Sequence, residues 1–204
     1  MIKPLALLAL LFATPTLAET VTVDTARGPA EAPLTPATVA VYDLAAFDSL
    51  TALGVTPQGL VRPVYLPYLE ETAEGTEVIG SLFEPDYEAL FALNPDLIIA
   101  GGRSSEQVPE LARIAPTLDM TIWQDTIGEG LTRLEAYGKI FDKEDEAAAL
   151  TSAFQDKLTQ TKEALAGKGR ALIVMTNGPK ISAYGAGGRF GWLHEALGLP
   201  EAVE

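Results

Sequence analysis

Short apolar runs of strand length alternate with segments of helical periodicity between residues 37 and 123. The predicted strands are 37–42, 59–62, 97–100 and 120–123, and the predicted helices are 45–53, 85–93 and 105–114. Strands that alternate with helices in this way are typical of a mostly parallel sheet covered by helices on both faces. Residues 21–36, which precede the first run, are proline-rich and are predicted to form an extended leader.

The segment 80–103 is the most informative part of this pattern. Pro85 suits the first helical position, because its missing N–H would have no intrahelical partner there. Asn94 and Pro95 end the helix, a buried strand follows, and a glycine pair then leads to Arg103. Ligands of open α/β sheets bind just beyond the carboxyl ends of the strands. Arg103 is therefore a candidate ligand-binding residue, since its guanidinium offers an anion a fixed fork of donors.

The pattern changes to long helices after residue 126. Residues 127–168 are predicted to be helical, with one break near Asp142 and Lys143. Two strands and a helix are predicted afterwards, at 171–175, 180–184 and 191–197. Because residues 168–204 are too few for a core of their own without disulfides or a metal, we expect a second lobe that is incomplete here. The predicted α/β fold has two Rossmann-like lobes joined by one long helix, with an N-terminal lobe at 19–142, a connecting helix at 143–167 and the start of a C-terminal lobe at 168–204.

The first 18 residues have the features of a secretory signal peptide. Lys3 supplies the positive start, residues 5–13 the apolar segment, and residues 16–18 a small-residue cleavage site. The apolar segment is too short to span a bilayer. The chain has no cysteine, which excludes disulfides and a lipid anchor on an N-terminal cysteine. We therefore expect an exported, soluble protein, located in the periplasm of a host with two membranes.

Charge and composition exclude several functions. The 14 lysines and arginines stand against 28 aspartates and glutamates, so the overall field does not favour nucleic acid. A zinc or manganese receptor would need several His or Cys ligands, and the chain has one histidine. A hydrolase is disfavoured, because the chain has no G-x-S-x-G nucleophile motif and His194, the only histidine, would have to serve as the base. A dinucleotide-binding site is not indicated either. The glycine-rich loop 185–191 does not match the dinucleotide motif G-x-G-x-x-G, because Phe190 occupies the position of the last glycine.

Three groups of motifs resemble one protein family. They are Phe83-Glu-Pro-Asp-Tyr-Glu-Ala-Leu with Asn94-Pro-Asp-Leu-Ile-Ile-Ala-Gly-Gly-Arg103, then Gly138-Lys-Ile-Phe-Asp-Lys-Glu-Asp-Glu146, and finally Ala171-Leu-Ile-Val-Met, Ile181-Ser-Ala-Tyr-Gly and Arg189-Phe-Gly-Trp-Leu-His-Glu-Ala-Leu-Gly198. From residue 37 onward the chain resembles the periplasmic iron–siderophore and vitamin B12 binding proteins of ABC importers, and its last motifs resemble their catecholate-siderophore branch. The resemblance implies the class III periplasmic-binding-protein fold.

The resemblance also implies a function and a set of ligand-binding residues. A monomeric binding protein of this family captures a ferric siderophore between its lobes and delivers it to a membrane permease, with no permanently bound cofactor. The implied ligand is a catecholate siderophore; haem, cobalamin and hydroxamate siderophores are the alternatives within the family. The family places the hairpin and loop that carry Lys180 and Arg189 against the ligand. Together with Arg103, these residues would form a local positive pocket in an acidic protein.

Further roles are implied for one histidine, several tyrosines and one glutamate. In the catecholate-siderophore relatives, a histidine at the position of His194 coordinates Fe(III) directly, alongside a tyrosine from later in the chain. Tyr42 and Tyr65, and also Tyr68, follow predicted strands and are candidates to stack on catechol rings. Glu88 aligns with an acidic residue that docks to arginines of the permease, and the neighbouring Glu84 is the alternative.

Overall fold

The computed structural model describes residues 19–202, so the predicted signal peptide at 1–18 lies outside the described residues. The strands are β1 (Thr20–Thr25), β2 (Gly28–Pro33), β3 (Val39–Val41), β4 (Gly59–Leu60), β5 (Glu77–Val78), β6 (Leu97–Ala100), β7 (Thr117–Asp119), β8 (Ile173–Asn177) and β9 (Lys180–Tyr184). The α-helices are α1 (Leu44–Ala52), α2 (Glu70–Ala73), α3 (Tyr87–Leu93), α4 (Val108–Leu111), α5 (Thr126–Phe141), α6 (Glu144–Leu165) and α7 (Trp192–Leu197). Residues Pro67–Leu69 and Gly102–Gln107 form 3-10 turns.

A five-stranded parallel sheet in the order β5-β4-β3-β6-β7 forms the centre of the first part of the chain. Every residue of β3 and β6 is buried, because helices cover both faces of the sheet. One core cluster contains Phe47 of α1 and Tyr137 of α5, and the other contains Leu90 of α3 and Leu111 of α4. Burial of a large apolar side chain contributes about 1.5–3 kcal/mol. The predicted parallel sheet between two helical layers is confirmed.

Aspartate side chains begin the two helices that lead from the sheet. Asp43 accepts a hydrogen bond from the Ala46 amide at the start of α1, and Asp86 accepts one from the Ala89 amide at the start of α3. The prediction that Pro85 occupies the first helical position is wrong. Pro85 precedes the cap Asp86, because the aspartate carboxylate satisfies a free amide of the first turn and proline has no group that can do so.

Two predicted elements lie elsewhere than expected. In place of a helix at 105–114, a 3-10 turn leads into the short α4, where Pro109 lies in the first turn. Proline suits that position because it has no N–H to leave unpaired. In place of a strand at 120–123, the last sheet strand is β7, and the chain leaves the sheet after the buried Met120. Trp123 consequently lies in an exposed loop.

The predicted extended leader is a β-hairpin. β1 pairs antiparallel with β2 along its whole length, from Thr20 opposite Pro33 to Thr25 opposite Gly28. The hairpin packs on α5, where the Arg133 guanidinium donates a 2.8 Å hydrogen bond to the Asp24 carbonyl. The alternation of threonine and valine in β1 is a strand signal, and the prolines of β2 obscured the pairing. A two-stranded ribbon tolerates them, because proline needs only a position whose N–H is not required for pairing.

The predicted break between the two long helices is confirmed. Asp142 adopts a left-handed conformation (φ 55°) between α5 and α6. The 22 residues of α6 form a rod of about 33 Å. Beyond it, β8 pairs antiparallel with β9, and α7 packs against α6. The lobe boundaries at 19–142 and 168–204 stay a prediction. Within residues 19–202, no helix combines the length and the apolar character that a membrane span requires.

Candidate functional site

The turn after β6 brings Arg103 to the carboxyl edge of the sheet. A side-chain carbon at the buried Gly101 would lie 3.1 Å from both the Asp43 carboxylate and the Thr121 amide, a close approach that would require these neighbours to move by a few tenths of an ångström. Gly102 has φ +53°, a left-handed conformation that glycine adopts at little cost. The next residue is Arg103, which is exposed. The glycine pair therefore turns the chain sharply enough to present an arginine at the sheet edge.

A cavity of about 810 Å³ lies where this turn faces the glycine-rich loop before α7. Arg103 lines it from the sheet side, and Arg189 lines it from the loop side. The lining residues are Gly102, Arg103, Thr121, Ile122, Trp123, Gln124, Gly187, Gly188 and Arg189. The volume lies within the range of about 300–1,000 Å³ of small-molecule sites. The structure thus brings together the two arginines that the sequence singled out.

Each of the two cavity arginines lies over a phenylalanine ring. The Arg103 guanidinium carbon is 5.3 Å from the centre of the Phe83 ring, and that of Arg189 is 5.6 Å from the centre of the Phe190 ring. Phe190 in turn makes an edge-to-face contact with Tyr184, with 4.9 Å between ring centres. Cation–π contacts of this kind contribute about 0.5–1 kcal/mol at exposed sites. They hold the guanidinium groups in place without using their hydrogen-bond donors.

The buried carboxylate of Asp119 anchors the loop that carries Arg103. It accepts hydrogen bonds from the hydroxyls of Ser105 (2.5 Å) and Thr121 (2.6 Å) and from Nε of Arg27 (2.8 Å). The Thr121 hydroxyl also accepts the Gly102 amide at 2.9 Å, which links the carboxylate to the glycine turn. Burial acts to raise the pKa of Asp119, but these three donors and the Thr121 amide, which also donates to the carboxylate (3.2 Å), outweigh it and hold that pKa below its ordinary value.

A second cavity, of about 550 Å³, adjoins the first at Thr121, Trp123 and Gln124. Arg27 and Arg133 line it, and both make hydrogen bonds within the protein: Arg27 to Asp119 and Arg133 to the Asp24 and Thr121 carbonyls. Because these arginines already have acceptors, this cavity presents less available positive charge than the one between Arg103 and Arg189.

Several predicted site residues do not line the larger cavity. Lys180 is exposed at the β8–β9 turn, and Tyr65 is exposed in the loop before the 3-10 turn Pro67–Leu69. The alternative Tyr68 donates a hydrogen bond to the Asp48 carboxylate at 3.1 Å. Glu88 is exposed on α3, as a docking residue needs to be. These placements leave the cavity to Arg103 and Arg189 among the predicted cations.

The prediction that Tyr42 stacks on a ligand needs correction. Its side chain has no exposed surface, and its hydroxyl donates a 2.9 Å hydrogen bond to the Ile79 carbonyl. Burial raises the pKa of Tyr42 well above its ordinary value, so the hydroxyl stays protonated. Tyr42 directly follows β3, but its side chain points into the helix-covered core. Proximity to a strand end does not show which way a side chain faces.

His194 is 5% exposed and belongs to the first turn of α7. Its Nδ1 lies 3.0 Å from the Leu199 carbonyl, which can only accept, so Nδ1 carries the proton. Nε2 is buried and has no hydrogen-bond partner. This is the tautomer in which a histidine binds a metal through Nε2. His194 does not line the larger cavity, and residues 19–202 contain no group of three His, Cys, Asp or Glu side chains that could hold a metal ion.

Two aromatic residues of the site were missed in the sequence. Trp123 lines both cavities, and Phe83 supports Arg103. The sequence did contain an indication that Trp123 belongs to the site, because this residue follows the last sheet strand at the edge where Arg103 follows β6. It was assigned to the strand itself, and so its exposure was overlooked. Phe83 had no such signal, since only the fold places the loop before α3 beside the glycine turn.

Comparison with known proteins identifies the family. Residues 39–204 match the periplasmic binding protein family, and the chain belongs to it. It is 36% identical over 178 residues to the petrobactin-binding protein YclQ of Bacillus subtilis, covering 83% of this chain and 55% of that protein. It is 27% identical over 175 residues to the ferric-anguibactin-binding protein FatB of Vibrio anguillarum, covering 82% and 54%. The chain thus spans about half the length of these curated relatives.

A solved structure has the same fold. The periplasmic catecholate-siderophore binding protein VctP of Vibrio cholerae superposes with a TM-score of 0.80 and 28% identity, covering 91% of this chain and 68% of that one. The predicted resemblance and fold class are therefore confirmed. The relatives named here are binding proteins by name, of petrobactin, of ferric anguibactin and of a catecholate siderophore, and none is named as an enzyme.

Proposed function

We propose that this protein is an extracytoplasmic receptor that captures a ferric siderophore of the catecholate type and delivers it to an ABC permease. The observation that carries the proposal is the cavity of about 810 Å³ with Arg103 on one side and Arg189 on the other. Two exposed guanidinium groups that face one cavity, in a chain with a formal net charge of −14, form a local site for an anion. The protein reaches the periplasm through the predicted signal peptide at 1–18 and acts there as a monomer.

The charge of the cavity favours catecholates over the alternatives. Each catecholate group carries two negative charges and each hydroxamate one, so a ferric catecholate complex is the more anionic. Guanidinium groups bind such oxygens through charge-assisted hydrogen bonds. Haem, cobalamin and hydroxamate siderophores would offer fewer negatively charged oxygens to the two arginines. Relatives named for hydroxamate and for citrate complexes are similar over shorter or less identical stretches than the petrobactin-binding relative.

We further propose that His194 binds iron when the siderophore leaves coordination positions open. A buried Nε2 acceptor without a partner costs about 1–3 kcal/mol, and a bond to Fe(III) would remove that cost. Because Nε2 lies away from the cavity wall, the short α7 has to shift toward the ligand. A hexadentate siderophore occupies all six coordination positions of the iron by itself and does not need the histidine.

A titration with two ferric complexes tests both proposals. Tryptophan fluorescence is followed while a tetradentate or a hexadentate ferric catecholate is added to the protein and to His194→Ala. We expect tight binding of both complexes by the unaltered protein, and for the tetradentate complex alone a loss of about tenfold and a shifted visible absorption band in the variant. Binding of neither complex would refute the receptor proposal. Equally tight binding by the unaltered protein and by His194→Ala would support the receptor proposal and refute the proposal that His194 is an iron ligand.

We propose that Glu88 docks the protein to its permease. It lies exposed in the first turn of α3, and Glu84 is exposed in the loop before that helix. Glu88→Ala should leave the affinity for the ferric complex unchanged and reduce uptake of ⁵⁹Fe-siderophore by cells about tenfold, because only the docking contact is lost. Glu84→Ala is the matched control and should reduce uptake less than twofold. Equal uptake by both variants and the unaltered protein would contradict a docking role for Glu88.

A further inference from the structure

Trp123 is the most exposed of the large apolar side chains among residues 19–202, with 81% of its surface accessible. It lines the cavity that Arg103 and Arg189 share. The fold does not need an indole here, because a side chain this exposed buries little apolar surface in the core. The indole therefore leaves a large aromatic face free at the wall of the cavity, and small-molecule sites are lined predominantly by apolar and aromatic side chains.

The backbone that carries Trp123 is held in place. The Glu129 carboxylate accepts the Trp123 amide and also the amides of Gln124 (3.3 Å) and Asp125 (3.4 Å). The bond from the Trp123 amide is the main reason that the pKa of Glu129 lies below its ordinary value, so the carboxylate is charged at neutral pH. On the other side, the Thr121 hydroxyl is bound to Asp119. The exposure of the indole is therefore a property of a fixed loop.

We propose that Trp123 stacks on an aryl ring of the bound siderophore and makes the site selective for aryl chelates over aliphatic carboxylate chelates. The inference rests on the proposed receptor function and deepens it. The arginines contact anionic oxygens and do not distinguish a catecholate from a carboxylate. The indole face does, because a catechol ring offers a flat apolar surface to it and citrate offers none. Tyr65, which the sequence suggested for this contact, lies outside the cavity wall.

Calorimetric titrations with two probes test this role. The probes are a ferric bis-catecholate and ferric citrate, and the proteins are the unaltered chain, Trp123→Leu, Trp123→Phe and Phe91→Leu. Phe91 is a matched control, because it is 74% exposed on α3 and does not line the cavity. We expect Trp123→Leu to weaken binding of the bis-catecholate about 5- to 20-fold and of citrate less than twofold. Trp123→Phe, which keeps an aromatic face, should lose less than threefold, and Phe91→Leu should change neither.

The outcomes separate this inference from the receptor function. If the unaltered protein binds neither ferric complex, both fail. If it binds the bis-catecholate and Trp123→Leu binds it equally well, or loses both probes by the same factor, the receptor function stands and the selectivity role of Trp123 is refuted. Tight binding of citrate without the bis-catecholate would refute it as well. Equal melting temperatures of the four proteins will show that the exposed substitutions leave the fold intact.

Discussion

Arg103→Ala should weaken binding of a ferric catecholate about 10- to 100-fold. The substitution removes a guanidinium that faces the cavity, and a hydrogen bond to a charged group contributes about 1.5–3 kcal/mol. Arg189→Ala should have an effect of similar size, since it occupies the opposite wall. Arg103→Lys should recover only part of the affinity, because an ammonium keeps the charge but loses the planar fork. Calorimetry at fixed ionic strength measures all three variants.

Two controls make this result specific. Arg113→Ala removes an exposed arginine that pairs with Glu110 away from the cavity, and it should change affinity less than twofold. Lys180→Ala tests the third predicted cation, which does not line the cavity, and a loss of less than threefold is expected. Increasing salt should weaken ligand binding by the unaltered protein more than binding by the Arg103→Ala/Arg189→Ala double variant, because the double variant has fewer cavity charges to be screened. Unchanged affinity in the double variant would rule out this cavity as the binding site.

Asp119→Ala should lower the free energy of unfolding by about 2–4 kcal/mol. Asp119 is 4% exposed, and its loss leaves the hydroxyls of Ser105 and Thr121 and the Arg27 guanidinium without their acceptor. The contribution of Arg27 is the smaller part, because its side chain is half exposed. Ligand affinity should fall with stability, since Thr121 also holds the glycine turn before Arg103. Urea unfolding at neutral pH gives the first value and calorimetry the second.

The pH dependence of this effect has a definite sign. The pKa of Asp119 is lower in the folded protein than in the unfolded chain, where it is about 3.9. Its stabilisation is therefore fully present above the unfolded value and is lost as the pH falls through the folded one. The difference in unfolding free energy between the unaltered protein and Asp119→Asn should shrink as the pH falls below about 4. A pH-independent effect of Asp119→Asn would contradict the assignment.

Local patterns predicted most of the sheet and its helices. The continuous apolar run of β6, the helical spacing of α3 and the break at Asp142 are visible in a few residues each, because burial and backbone conformation select the residue types directly. The hairpin of β1 and β2 was hidden by its prolines, and the strand expected at 120–123 lies three residues earlier. Both errors concern segments at the edge of the packed core, where burial selects residue types less strongly.

For the candidate site, the sequence supplied the two arginines but not their surroundings. The glycine pair before Arg103 predicts a turn at the sheet edge, and the resemblance of the last motifs pointed to Arg189. Tyr42 also follows a sheet strand, as a site residue would, but its side chain is buried. Trp123 and Phe83 were missed, because their roles depend on which loop lies beside which.

The sequence by itself determined the class of fold and the cationic character of a site at the strand ends. It could do so because hydrophobic periodicity, glycine turns and scarce positive charges are local properties of the chain. The tertiary structure decided which side chains share the cavity, which way Tyr42 points and what anchors the Arg103 loop. Those depend on contacts such as Arg27 with Asp119, which join residues 92 positions apart and leave no trace in local spacing. Packing of the whole chain creates them, and the chemistry of the site follows from that packing.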